Sequence, residues 1–96
     1  MKLLCLDIPQ PGVTPDQYRP HLLDEVRYAW ELHRTGIIRE IYARQDRPGV
    51  AIVVECASPA AAREAMAAFP LVTQGLIDWE IIPLGVFTGW EALWQK

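Results

Sequence analysis

The chain has 96 residues, is 51% hydrophobic, carries four Trp and has a net charge of −3. That length fits one domain over residues 1–96 with a limited core. The apolar content is high for so small a monomer and points to an oligomer, while the mild acidity removes any electrostatic case for nucleic acid. No apolar run reaches transmembrane length. MKLLCLDIP is too short for a signal-peptide core and runs into Asp7. The only cysteines, Cys5 and Cys56, sit in apolar runs as small buried hydrophobes, which fits a reducing, cytoplasmic setting.

Lys2 to Ile8, KLLCLDI, reads as a first strand, apolar on both faces until Asp7. In the loop that follows, Thr14, Pro15 and Gln17 carry a capping-box start. Pro20 then allows only a short turn before a main helix from about Pro20 to Thr35. At about 100° per residue, Leu22, Val26, Ala29 and His33 centre one face. Glu25, His21, Tyr28 and Leu32 lie along one border, Leu23 and Trp30 along the other. Gly36 supplies the left-handed stop.

Ile37 to Arg44 and Val50 to Cys56 are rich in β-formers, and QDRPG between them is turn chemistry, so the pair reads as a hairpin. Ser58 caps and Pro59 opens a second helix with an inner stripe of Ala62, Ala65, Met66 and Phe69, ended by Pro70. A loop through Gly75 leads to a last strand, Leu76 to Leu84. In the tail, Thr88 and Glu91 have capping-box spacing and Trp90, Leu93 and Trp94 share one side of a short helical turn. Such a tail packs on its own subunit or reaches a neighbour.

The order β-α-β-β-α-β predicts an α+β, ferredoxin-like fold with a four-stranded antiparallel sheet and both helices on one face. KLLCL and VAIVVEC are apolar on both sides, whereas a sheet with one wet face should alternate. A second copy laid sheet on sheet is the simplest cover.

The passage ELHRTGIIR (Glu31 to Arg39) looks like the E-L-x-R-x-G-x-x-R passage of the muconolactone isomerase-like family. FPL (Phe69 to Leu71) is similar to its stop after the second helix, and IDWEIIPL (Ile77 to Leu84) to its last strand. The chain thus resembles that family of the dimeric α/β-barrel superfamily over most of its length. The resemblance implies a small isomerase that shifts a proton within an unsaturated lactone with no metal or organic cofactor. It also implies dimers or rings of dimers, with tails contributing to neighbouring pockets. Those isomerases carry lysines along the first helix; here the only lysines are Lys2 and Lys96, so Arg39 would supply the cation.

Glu25, in the apolar border of the main helix, is the candidate general base, since burial raises a carboxyl pKa toward the useful range. His21 and Tyr28 share its border. Tyr42, Arg44 or Arg39 could donate to a developing oxyanion. The bland alternative for Glu25 is a helix-edge ion pair, and for His33 a hydrogen-bonded packing histidine. As an enzyme of this type the chain would use Glu25, Arg39 and Tyr42 in catalysis and His21, Tyr28, His33 and Trp90 to hold substrate. Asp78, Glu80 and Glu40 read as an edge or a salt-bridged dimer seam. No His-x-x-x-His or Cys-x-x-Cys pair exists, so no metal is expected. Two rivals keep the fold: a homodimeric protein that only binds a small apolar ligand, and a cofactor-free monooxygenase.

Overall fold

A computed structural model describes residues 1–95. Strands β1 (Lys2–Pro9), β2 (Ile38–Ala43), β3 (Val50–Glu55) and β4 (Ile77–Leu84) form one sheet in the order β2-β3-β1-β4. All its neighbouring pairs are antiparallel. This is the ferredoxin-like α+β arrangement expected from the sequence. Helices α1 (Pro15–Tyr18), α2 (Leu22–Arg34), α3 (Pro59–Ala67) and α4 (Pro70–Thr73) complete the order.

Local chemistry sets most boundaries. Gln17 Oε1 accepts the Thr14 N–H at 2.8 Å, which starts α1. A 3-10 turn over Arg19–His21 carries the chain past Pro20 into α2. Helix α2 ends in a Schellman arrangement: Gly36 has φ +86°, Ile37 N–H reaches Leu32 O and Gly36 N–H reaches His33 O. The Ser58 hydroxyl accepts the Ala61 N–H and caps α3. Pro70 does more than end that helix. It occupies the first turn of α4, where a missing N–H costs nothing, so a segment expected to be loop is helical.

The core lies between the helices and one sheet face. Leu3 and Cys5 from β1, Ile52 and Val54 from β3, and Ile77 and Trp79 from β4 meet Met66, Phe69 and Leu32. Phe69 is the hub, edge-on to Tyr28 at 4.7 Å and tilted against Trp79 at 5.5 Å. The Trp79 indole N–H donates to Met66 O at 3.1 Å. Cys5 is fully buried and burial pushes its thiol up to about 11. Both cysteines are free.

Two features differ from the helical-wheel expectation. Helix α2 buries Leu32 and half-buries Glu25, Tyr28 and Ala29, whereas Leu23, Val26 and Trp30 are each at least 60% exposed. His33, expected at the centre of the buried face, is exposed and stands beside Trp30 with ring centroids 5.5 Å apart. The helix is therefore rolled toward α4, and a cavity opens under its expected apolar face. The tail forms a 3-10 turn over Thr88–Trp94, with Phe87 edge-on to Trp90 at 5.3 Å. It stands off the rest of the described chain: Val86 is 90% and Trp94 75% exposed.

Candidate functional site

A cavity of about 550 Å³ lies between α1, α2 and the helix-side face of the sheet. Its walls are mostly apolar, with Phe69, Trp79, Ile52, Leu71 and Val13 among them, and its ionisable lining residues are Asp7, Tyr18, Glu25 and Arg47.

Glu25 enters from α2. Its Oε1 accepts the Leu71 N–H at 2.9 Å, so the side chain also caps the first turn of α4. Its other oxygen has no hydrogen-bond partner among the described residues. Burial pushes the carboxyl above the ordinary glutamate value, and the Leu71 N–H opposes that shift in part.

The second polar group was not legible in the sequence as a site. Asp7 shares strand parity with Leu3 and Cys5 and so points to the helix side, where it is 7% exposed. Its Oδ1 accepts the Val50 N–H at 3.1 Å and its Oδ2 accepts from Arg47 Nη1 at 3.1 Å. Arg47 also donates through Nη2 to Asp7 O and through Nη1 to Pro48 O at 2.9 Å. Arg44 Nη1 stands 3.8 Å from Asp7 Oδ1, while its Nε and Nη2 bind Asp46. The hairpin loop is thus latched onto β1. The signal available beforehand was the parity of Asp7, a lone carboxylate on a buried stripe; its arginine partners lie some forty positions away and leave no local trace. Tyr18 completes this end, its hydroxyl pushed above the ordinary tyrosine value by burial and by Asp7.

Gly49 closes the latch. Its φ is +154°, and a Cβ there would stand 2.5 Å from Asp7 Oδ1 and 2.7 Å from Arg47 Nη1. Gly49→Ala is expected to lower stability by about 1–3 kcal/mol from strain and displacement of the ion pair, measured by urea denaturation.

The remaining sequence candidates lie elsewhere. Arg39 is the extra residue of a bulge between Ile38 and Glu40, is exposed, and donates through Nε to Gly36 O at 2.7 Å. Tyr42 projects from the opposite sheet face, in line with Ala51, and donates to Glu40 Oε1 at 2.6 Å. Tyr28 is tied into the packing between α2 and α3, its hydroxyl donating to Ala65 O at 2.7 Å. His21, in the 3-10 turn, does not line the cavity. His33 lines a shallower groove with Val26, Ala29, Trp30 and Ile41. Trp90 stays in the extended tail. Of the proposed set, only Glu25 lies in the main cavity. Asp78 and Glu80 share the open sheet face with Glu40, but β4 and β2 are its two edges, about 14 Å apart at ordinary strand spacing.

Among the described residues no group of three or more His, Cys, Asp or Glu side chains is placed to hold a metal ion. No helix among them is long and apolar enough to cross a membrane.

No family profile matches the sequence, and no curated protein matches it. Solved structures do match in fold. Muconolactone isomerase superposes with a TM-score of 0.75 at 20% identity, over 93% of this chain and 93% of that one. The 5-chloro-2-hydroxyhydroquinone dehydrochlorinase of Burkholderia phenoliruptrix AC1100, solved with 2,5-dihydroxybenzoquinone, gives 0.73 at 14% identity, over 91% of this chain and 96% of that one. At such identities the likeness is one of fold: this chain has the fold of muconolactone isomerase.

Proposed function

We propose that the chain is a cofactor-independent enzyme that shifts a proton within a small unsaturated lactone or related carbonyl compound, with Glu25 as the base. One observation carries this reading: a half-buried carboxyl, raised by burial and with one oxygen unpaired among the described residues, lines an apolar cavity of small-molecule size. The ionised Glu25 takes a proton from the saturated carbon at the far end of the C=C–C=O system. The C–H electron pair becomes a new C=C bond, the π electrons shift along the system onto the carbonyl oxygen to give a dienolate, and the proton returns at the carbon next to the carbonyl. The Leu71 N–H fixes Glu25 for both transfers. The fold shared with an isomerase and a dehydrochlorinase supports a small-molecule enzyme without selecting a reaction. The test is ultraviolet-monitored turnover of muconolactone and a panel of unsaturated lactones. No turnover on any panel member sinks the reading.

A second reading has its own observation. Glu25 does what a helix-capping glutamate does, and a capping role leaves a protein that only binds. Thermal stabilisation by apolar ring compounds that is unchanged in Glu25→Gln, with no turnover, would favour it.

The working unit in either reading is an oligomer. On the sheet face away from the helices, Leu4, Leu6, Ala51, Val53 and Ile82 lie together, with no element among the described residues over them. The chain exposes 6703 Å², against about 5,600 Å² for a compact monomer of its mass. Its radius of gyration is 15.7 Å, against about 12.5 Å. The exposed tail (Val86, Phe87, Trp90, Leu93 and Trp94) contributes to that excess, and a second copy over the open face would cover its apolar residues. Light scattering at micromolar concentration is expected to give at least twice the chain mass; a monomer mass would refute this assembly.

A further inference from the structure

The proton shift needs a group to meet the negative charge that forms on the carbonyl oxygen, and the groups expected to do so do not face the cavity. Arg39 is turned out at the bulge and Tyr42 lies across the sheet. The cavity nevertheless has a cationic lining residue in Arg47.

Arg47 is built in as a functional group would be. Two of its contacts go to Asp7, one to the carboxylate and one to the carbonyl oxygen, and a third goes to Pro48 O. Together they fix the plane of the guanidinium. Its Nε–H and the remaining Nη2 hydrogen have no partner among the described residues, so donors are left for a ligand. Asp7 also accepts the Val50 N–H and stands near Arg44, which is itself paired with Asp46. A fixed guanidinium beside apolar walls acts more strongly on an anion than it would in water. Leu22, Val26 and Ile41 expose apolar surface to a ring in the same cavity.

We propose that Arg47 is the oxyanion-binding group of the cavity, with Asp7 as its positioning residue, and that the site selects planar unsaturated rings whose ring oxygen is, or becomes, negatively charged. The proposal deepens the proton-shift reading but does not need turnover to be tested. An ion pair that only latches the hairpin loop would serve Asp7–Arg47 equally well structurally, and would not discriminate between charge states of a ligand.

The experiment uses 4-nitrophenol, whose ionised form has its own visible absorbance, and 4-nitroanisole, its methylated neutral counterpart. Both are titrated into the full-length protein in the wild-type and Glu25→Gln forms. The phenolate is expected to bind about tenfold more tightly than the phenol, seen as a bound probe that ionises about one pH unit lower than the free one. The anisole is expected to bind more weakly than the phenolate. In Arg47→Gln the preference is expected to vanish, with circular dichroism reporting that the variant is folded. If that variant does not fold, a crystal structure of the wild-type protein with the probe decides: its oxygen lies within hydrogen-bond distance of Arg47. Absence of saturable binding, a bound probe that ionises no more easily than the free one, a preference that survives in folded Arg47→Gln, or a probe oxygen directed at Glu25 or solvent would each overturn the proposal. Phenolate preference without lactone turnover removes the isomerase reading and leaves this one standing; turnover without the preference does the reverse.

Discussion

Glu25→Gln is expected to slow any lactone proton shift by about 10²–10⁴-fold, the usual contribution of a general base, while leaving the protein folded. The variant suits the question because Gln can still accept the Leu71 N–H, so the α4 cap survives and only the proton-accepting oxygen is lost. The loss should appear mainly in kcat, since the cavity walls that hold the ring are unchanged. The same substitution has a stability signature of known sign. Burial raises the Glu25 pKa in the folded state, so the native protein holds this proton to higher pH than the unfolded chain. Its contribution is fully present below the ordinary glutamate range and is lost as pH rises through the elevated folded value. Urea midpoints of the wild type relative to Glu25→Gln should therefore fall as pH climbs from the ordinary glutamate range toward neutrality. A difference that rises over that interval would show that the carboxylate is stabilised in its site and is no poised base.

Phe69→Ala should be among the most damaging single changes in the core. Phe69 is 1% exposed, meets Tyr28 and Trp79 ring to ring, and forms part of the cavity wall. Truncating such a residue removes its transfer free energy and leaves an unfilled volume, together about 3–5 kcal/mol. Against a total of about 5–15 kcal/mol for a domain, that is a large share of the stability and lowers Tm by more than ~10 °C. Because the lost ring also widens the cavity, residual folded protein should bind flat apolar ligands less tightly. A change under about 1 kcal/mol in urea denaturation would mean that the helices collapse to fill the gap, and that the cavity has no fixed shape.

The order of elements is legible from residue types alone, because the signals for each are local. Two β-rich runs around Gln45–Gly49, the glycine after α2 and the Ser58–Pro59 start of α3 require no distant partner. Those local units, in that order, leave few topologies, and the ferredoxin-like sheet with one apolar open face follows. The position of Glu25 on an apolar helix border was legible for the same reason, since the helical period fixes which side chains are neighbours. What that border faces depends on how the helix packs. A wheel states which residues share a face but not which face turns inward, and α2 rolls so that Glu25 and Leu32 go in while His33 and Trp30 stay out. It likewise took the fold to bring Arg47 to Asp7 across forty positions of chain and to put Tyr42 on the far side of the sheet. Strand pairing and bulges set these placements, and both are properties of two segments together, absent from either one alone.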